Sequence, residues 1–343
     1  MYHLYNQGQS SPSPTSFPGG REIIWESLRL KGIPESTIPI MLSSIQENTL
    51  KQYSTCYKKW WQHCTIKNKN PHSMNFNSIL DFIVEQFNLG LSYSSLNSYR
   101  SAFILIFTFN ESEKKILKRF FKGLYNRNPV RPRYSATWDP HPVLEYLSTL
   151  FPLESLSFKD LSLKLTTLLL LTSGQRIQTL SKITLKNIKQ KSDAIEIRIS
   201  DRIKTSGLGK KQPFLVFPYF KNKPELCIAS TIKHYIKVTE TRRRFINTLI
   251  LTHMKPYRPA STQTISRWVK DVLGKSGIDT DIFKSHSVRH ATTSAAFRCG
   301  LDIDLIRITA GWTEKSTVFN TFYNLPLSKN SADFSKCIIN NCT

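Results

Sequence analysis

The chain has 343 residues, of which 40% are hydrophobic and 11% aromatic. This length suits two domains, and the apolar content excludes a wholly disordered polymer because it is enough to offset chain entropy. Lysine and arginine number 48 against 24 aspartate and glutamate, which gives a formal net charge of +24. A chain so charged repels itself unless its partner is a polyanion, so nucleic acid is the first candidate.

Membrane insertion, secretion and metal binding are not expected. No stretch approaches the ~18 consecutive apolar residues of a spanning helix, and the amino terminus lacks the basic-then-apolar layout of a secretory signal. The six cysteines include no C-x-x-C pair, and Cys56, His63 and Cys64 fall inside a helical pattern. Buried thiols are therefore favoured over disulfides or a zinc site, and we expect no metal and no cofactor.

A flexible tail is predicted over residues 1–35, because its first part is rich in serine, proline and glycine and shows no apolar periodicity. A helical domain is predicted over residues 36–125. Its first clear helix begins near Thr49, where apolar residues recur at three- and four-residue steps and lysines occupy the other face. Three further helical segments follow: Ser78 to Phe87, Tyr93 to Phe109, and Glu113 to Tyr125.

A basic linker is predicted over residues 126–141. Between Asn126 and Pro142 the chain carries four prolines, which oppose a helix, and three arginines, which favour solvent. Two interpretations stay open: an extended strap along a duplex backbone, or a solvated spacer.

The second domain, residues 142–343, is predicted to be helical around one hairpin. Strict alternation at Ile195–Ile199 and the apolar run Phe214–Phe217 bracket a glycine-containing turn, which indicates two paired strands. The expected class is mainly α with a small β-hairpin or sheet (α+β). Helical patterns are found in these segments: 144–150, 161–172, 228–238, 261–273, 287–298, 303–310 and 316–322.

Several basic residues of this second domain suit a phosphodiester ligand. Arg176 follows the glycine that ends a leucine-rich helix, and Lys204 lies beside the hairpin turn. His286 and Arg289 are three residues apart, so on a helix they share a face and can converge on one anion. Taken singly, each could be a helix cap or a solvated charge. Lys210 and Lys211 also leave the identity of the hairpin lysine open.

Two aromatic residues complete the set. Trp312 follows Gly311, and Tyr323 comes eleven residues later. Alone, each would be interpreted as a packed core aromatic.

The order Arg, Lys, His-x-x-Arg, Gly-Trp, Tyr resembles the tyrosine recombinase (phage integrase-like) family, over roughly Thr49 to Pro326. Within it the chain looks most similar to recombinases of DIRS, Ngaro and Crypton-type mobile elements, through these phrases: Asn48–Tyr53, Lys59–Trp61, Ser95–Ala102 and Phe322–Asn324. The resemblance implies a SAM-like core-binding domain and a catalytic domain that close around duplex DNA.

Two positions depart from the family pattern. Thr179 stands where an acidic residue is common, which alters the support of the first arginine. Trp312 stands where a second histidine is common, and an indole donates one hydrogen bond but cannot shuttle a proton.

The resemblance implies a catalytic set consisting of Tyr323, Arg176, Arg289, His286, Lys204 and Trp312. In that set Tyr323 is the nucleophile that stores bond energy in a covalent phosphotyrosyl link. The two arginines neutralise the non-bridging oxygens, so no metal is required. Lys204 is the general acid for the departing 5′ oxygen, His286 accepts or shares the tyrosyl proton, and Trp312 braces a phosphate oxygen.

Double-stranded DNA is the expected partner, and a homo-oligomer, a tetramer on paired sites, is the expected assembly. Candidate DNA contacts, each of which could equally be a solvated residue, are Arg100, Lys58, Arg131 and Arg133. The segment Leu327 to Thr343 could pass to a neighbouring subunit, or be a frayed terminus.

Two rival functions remain. A type IB topoisomerase shares the chemistry but acts alone, and a DNA-binding factor derived from a mobile element could keep the fold without cutting. Residence in the nucleus is expected if the host is a eukaryote, and otherwise in the cytoplasm on DNA. Arg242–Arg244 is a weak import signal and is better interpreted as a solvated charge run.

Overall fold

The computed structural model describes residues 16–73, 75–204, 206–207, 212–312 and 317–327. The chain divides between Arg131 and Pro132 into two compact units. Helices dominate both units, and the second also holds a small sheet, so the predicted mainly α class is confirmed. None of the described helices is both long and apolar enough to cross a membrane. The residues of the predicted carboxy-terminal segment from 328 onward lie outside the described ranges.

The first unit is a helical bundle with an aromatic core. The indole of Trp60 contacts two phenylalanine rings edge-on, with centroid distances of 5.1 Å to Phe82 and 5.2 Å to Phe103. Asn110 caps its helix by a reciprocal pair of bonds with Glu113, which satisfies two otherwise unpaired backbone groups. The helices are α1 (Gly20–Leu30), α2 (Ile38–Ser43), α3 (Glu47–Ile66), α4 (Phe76–Asn88), α5 (Tyr93–Ile106) and α6 (Glu111–Arg127).

The prediction of a flexible tail over residues 1–35 is wrong from Gly20 onward, where α1 begins. Ile23 and Ile24 are buried in the bundle core. A Cβ atom on Gly20 would lie 2.7 Å from the Cβ of Ser54, so the glycine allows α1 to approach α3 closely. The feature that suggested flexibility is therefore a packing requirement. Residues 1–15 of the predicted tail are outside the described part.

The predicted linker over residues 126–141 is also wrong in its second half, which belongs to the core of the second unit. Tyr134 and Trp138 are buried there, and the indole N–H of Trp138 donates to Ser287 Oγ at 2.8 Å. The backbone N–H of Thr137 donates to the carbonyl of Pro326 at 2.8 Å. This segment therefore fixes elements far along the chain, and it is neither a spacer nor a free strap.

The second unit is built around α8, whose seven leucines are all buried. Such burial on every side explains why α8 shows little amphipathic alternation, as expected of a central helix. The helices of this unit are α7 (His141–Thr149), α8 (Phe158–Ser173), α9 (Ile177–Ser181), α10 (Ile228–Arg243), α11 (Thr262–Lys275), α12 (Ser287–Arg298) and α13 (Ile303–Ala310).

The sheet has three antiparallel strands in the order β1 (Ile188–Gln190), β2 (Ala194–Arg198) and β3 (Phe214–Pro218). The hairpin of β2 and β3 agrees with the sequence prediction, and its register pairs Ile197 with Leu215. The third strand, β1, was not predicted, because three residues are too few to show alternation. The connection between β2 and β3 carries Lys204 toward α9.

Candidate active site

A left-handed turn after α8 positions the first arginine. Gly174 has φ 59°, a conformation that glycine adopts without steric cost, and it ends the helix. The side chain of the next residue, Gln175, is buried and donates to the carbonyl of Thr309 at 2.5 Å. Arg176 then caps α9 and is half-buried. Its main chain is therefore held between two anchored elements.

The second arginine, Arg289, lies in the first turn of α12 and is only 4% exposed. Its Nη1 donates to the carbonyl oxygen of Gly174 at 2.7 Å. Within the described residues its Nε and Nη2 have no hydrogen-bond partner. Buried donors are normally paired, because an unpaired one forfeits its solvation. The guanidinium thus offers two donors to an anionic ligand.

Aromatic rings surround this guanidinium. Its central carbon lies 4.3 Å from the ring centroid of Trp312 and 5.5 Å from that of Tyr323. The two rings meet edge-on, with centroids 4.7 Å apart. The ring of Tyr323 also stacks on the ring of His290, with centroids 4.0 Å apart and an interplanar angle of 9°. The tyrosine predicted as nucleophile is therefore held beside the buried arginine.

Like charges concentrate at this place. Burial, and then the charge of Arg176, lower the pKa of Arg289 to about 10, and the Tyr323 hydroxyl close to the guanidinium opposes them. That hydroxyl does not reach hydrogen-bond geometry with Nε or Nη2. The pKa of His286 is also lowered. The largest cause is desolvation by its surroundings, although the side chain is exposed on one side. Positive charges nearby lower this pKa further, and they belong to Arg133, Arg176, Arg289 and Lys204. Perturbed groups of this kind cluster at functional sites. The cluster is suited to an anion such as a phosphate.

His290 is the residue of this site that the sequence prediction missed. Burial, opposed by its bond to the carbonyl of Phe322, lowers its pKa to about 4, with smaller contributions from neighbouring positive charges. Its Nδ1 lies 2.9 Å from that carbonyl oxygen. One signal was available: His290 follows His286 by four residues, so the two residues share a helix face.

The stability of the second unit is expected to fall as the pH drops from about 6.5 toward 4. Because the folded pKa values of His286 and His290 are lowered, the unfolded chain binds protons in this range that the folded chain does not. His290→Phe removes one of these groups and should make the free energy of unfolding less dependent on pH. Urea titrations at several pH values measure this, with exposed His141→Phe as control. An unchanged slope for His290→Phe would contradict the assignment.

Some of the predicted catalytic residues are in direct contact with Arg289, and others interact with it only through their charge. Trp312 and Tyr323 contact the guanidinium of Arg289. Arg176 and His286 lie close enough for their charges to interact with it. Lys204 is exposed, its backbone N–H donates to Gln178 Oε1 of α9 at 3.2 Å, and its charge reaches His286. Its two rivals as the hairpin acid lie outside the described residues: Lys210 and Lys211. Among the described residues, no group of three histidine, cysteine or acidic side chains could hold a metal ion.

The four candidate DNA contacts fall in different environments. Lys58 and Arg131 are exposed in the first unit. Arg100 is half-buried, with its guanidinium carbon 5.3 Å from the ring centroid of Phe121. Arg133 differs from the rest, since its charge acts on His286 and on His290. It therefore lies near the cluster around Arg289, and the other three remain predicted contacts to the DNA backbone.

The run Arg242–Arg244 is only partly the solvated charge run that the sequence suggested, since Arg244 is exposed but the other two are not. Arg243 is buried and donates to the carbonyls of Thr248, at 2.5 Å, and Leu249, at 2.6 Å. Arg242 lies over the ring of Phe158 at 5.1 Å. Arg243 thus holds the loop that follows α10.

Comparison with known proteins identifies the family and the fold. The model of the phage integrase family matches residues 145–327, whereas no curated protein matches the chain. Solved structures with a similar fold include the XerH site-specific recombinase bound to difH substrate, in a pre-cleavage complex, at 12% identity and TM-score 0.57, covering 94% of this chain and 97% of that one.

Two further structures are similar in fold. The Tn1549 transposon integrase in complex with transposon right end DNA has 14% identity and TM-score 0.54, covering 95% of this chain and 100% of the other. The lambda integrase tetramer bound to a Holliday junction has 12% identity and TM-score 0.50, covering 85% and 76%.

Proposed function

The chain belongs to the phage integrase family, and from this premise we propose that it is a site-specific DNA recombinase of a mobile element. It breaks and rejoins DNA through a covalent 3′-phosphotyrosyl intermediate on Tyr323. The observation that carries the proposal is the buried guanidinium of Arg289, which offers two unpaired donors beside the ring of Tyr323. Such preorganised donors stabilise charge that develops in a transition state.

In the cleavage step, the phenol oxygen of Tyr323 attacks phosphorus and forms the phosphotyrosyl bond. The bond from phosphorus to the 5′ oxygen breaks, and a proton from Lys204 completes the 5′ hydroxyl. His286 accepts the phenol proton, and its lowered pKa favours the neutral ring, the form that can accept one. Rejoining is the reverse: a 5′ hydroxyl attacks phosphorus and releases the tyrosine.

The two arginines take the place of a metal in this scheme. Their planar, permanently charged forks bind the non-bridging oxygens of the phosphate. Trp312 packs against the guanidinium of Arg289, since the ring centroid lies 4.3 Å from the guanidinium carbon. This extends the bracing role expected of Trp312: it acts on the arginine as well as on the phosphate.

Duplex DNA is the proposed partner, and a tetramer on paired sites is the proposed assembly. The net charge of +24 supports the first. The relatives of similar fold support both, since two are bound to DNA substrates and one is a tetramer on a Holliday junction. The likeness to DIRS, Ngaro and Crypton elements and the nuclear location in a eukaryotic host stay part of the proposal.

Salt should weaken DNA binding steeply, and Lys58→Gln should make the dependence shallower. Each neutralised phosphate contributes about 0.9 to the slope of log affinity against log salt, so the loss of one contact reduces the slope by about 1. Fluorescence anisotropy with duplex DNA at several salt concentrations measures it. Lys67→Gln is the matched control, because that ammonium already pairs with Glu85 at 2.8 Å. Equal slopes for Lys58→Gln and wild type would exclude Lys58 from the interface.

The proposed function is tested by covalent capture. Purified protein is incubated with a pool of nicked duplexes of randomised sequence, so that a cleaved fragment diffuses away and the reverse reaction is blocked. DNA that survives a denaturing wash and yields phosphotyrosine on hydrolysis supports a recombinase, and its sequence gives the target site. Relaxation of supercoiled plasmid by the monomer alone would indicate a topoisomerase, and absence of any adduct would indicate a DNA-binding protein.

A further inference from the structure

One face of α12 carries three polar residues that contact the main chain of the segment Phe322–Leu325. They are His290, Ser294 and Arg298, spaced four residues apart, so they form one stripe along the helix. Arg289 precedes the first of them. The stripe and the catalytic arginine therefore belong to the same rigid element.

Each residue of the stripe bonds the segment. His290 Nδ1 lies 2.9 Å from the carbonyl oxygen of Phe322, which only accepts, so Nδ1 carries the proton. The hydroxyl of Ser294 donates to the carbonyl of Tyr323 and accepts from the N–H of Leu325 at 3.2 Å. Arg298 Nη1 donates to the carbonyl of Leu325 at 3.3 Å. The carbonyls of Phe322, Tyr323 and Leu325 are thus each bonded by a residue of the stripe.

The segment has little regular structure of its own to hold it. Phe319–Tyr323 forms a single turn with π-type hydrogen bonding, closed by the N–H of Asn324 on the carbonyl of Phe319 at 2.8 Å. A turn of this kind is rare and short, and it gains stability from contacts made by other elements. The orientation of Tyr323 therefore depends on what packs against the turn.

We propose that His290, Ser294 and Arg298 are positioning residues: they hold the main chain around Tyr323 so that its side chain stays beside Arg289. The inference rests on the proposed function. His290 contributes most, because it both bonds the main chain and stacks on the Tyr323 ring at 4.0 Å. Its pKa of about 4 keeps the ring neutral, so it adds no charge beside the arginine. A displacement of about 1 Å at a reacting group can cost about 10²-fold in rate.

The test compares single-turnover capture on nicked DNA for variants of the stripe. His290→Ala should lower the rate at saturating DNA by at least about 10-fold, Ser294→Ala by less, and His290→Phe should recover part of the loss because it keeps the stacked ring. The DNA concentration that gives half the maximal rate should not change. Matched controls are His141→Ala and Ser148→Ala, whose side chains pair with or bond to Glu145 on their own helix.

A pH profile separates positioning from proton transfer. If His290 positions the tyrosine, the profile of the capture rate in His290→Ala keeps its shape and only its height falls. If the pH dependence of the rate on one side of the profile disappears in His290→Ala, His290 acts as a base instead. A capture rate equal to wild type in both His290→Ala and Ser294→Ala would overturn the proposal.

Hydrogen exchange gives a readout that does not depend on cleavage. Amides of the peptide covering residues 319–327 should exchange faster in His290→Ala and Ser294→Ala than in wild type and in the two controls, since the bonds to the segment are lost. Equal exchange would overturn the positioning role even if no adduct forms. A wild-type protein that forms no adduct, but whose variants exchange faster, would reject the proposed function and leave the stripe in place.

Discussion

Tyr323→Phe is expected to abolish covalent capture of nicked DNA, because the variant keeps the ring and loses only the oxygen that attacks phosphorus. DNA affinity should stay within about twofold of wild type, since binding rests on phosphate contacts made by many basic residues. The ring contacts with His290 and Trp312 need no hydroxyl, so the ring of the variant should keep its position. Denaturing gels with labelled DNA measure the adduct.

The control for Tyr323→Phe is Tyr219→Phe, a tyrosine of the same unit outside the site. It should give wild-type adduct levels. A phosphotyrosyl adduct that persists in Tyr323→Phe would assign the nucleophile to another tyrosine, and the proposed arrangement around Arg289 would then be wrong.

Arg289→Lys is expected to reduce the rate of capture by about 10² to 10³-fold, the range measured when one preorganised donor at a transition state is removed. The guanidinium bonds the carbonyl of Gly174 with one nitrogen and keeps two further donors free. A lysine ammonium is a compact point charge and cannot reproduce that fork, although it preserves the charge. Rapid-quench capture at saturating DNA measures the rate.

The matched control is Arg29→Lys, because Arg29 is exposed and pairs with Glu26 at 2.7 Å in the first unit. It should leave the rate unchanged. If Arg289→Lys cleaved DNA at the wild-type rate, geometry at this position would not matter, and the role given to the buried fork would be withdrawn.

Local features of the structure were accessible from the sequence because they depend on local patterns. The apolar recurrence from Thr49 predicted α3, and the alternation at Ile195 predicted β2. The grouping of Arg176, Trp312 and Tyr323 near Arg289 is not local, and it was expected only from the family resemblance. The helix ends near Gly174 and Gly311 were marked by glycines in the left-handed conformation.

Features that depend on distant contacts were not accessible. The proline-rich segment after Arg131 gave no sign that Trp138 bonds Ser287, 149 residues later. Gly20 suggested flexibility, and its packing role could not be recognised because its partner, Ser54, belongs to another helix. The role of His290 depends on a ring 33 residues further along the chain. In each case the deciding partner is brought near only by the fold.

The bond from Arg289 to Gly174 has a mechanical consequence. Gly174 stands two residues before Arg176, so the carbonyl that anchors one guanidinium belongs to the turn that aims the other. The main chain that carries Arg176 cannot move away from the Arg289 guanidinium without breaking this bond and leaving a buried carbonyl unsatisfied, at a cost of about 1–3 kcal/mol. The energetic contributions of the two arginines are therefore coupled, and the losses from substituting both should not add. The distance between the Arg289 guanidinium and the main chain that carries Arg176 is therefore set before any DNA binds.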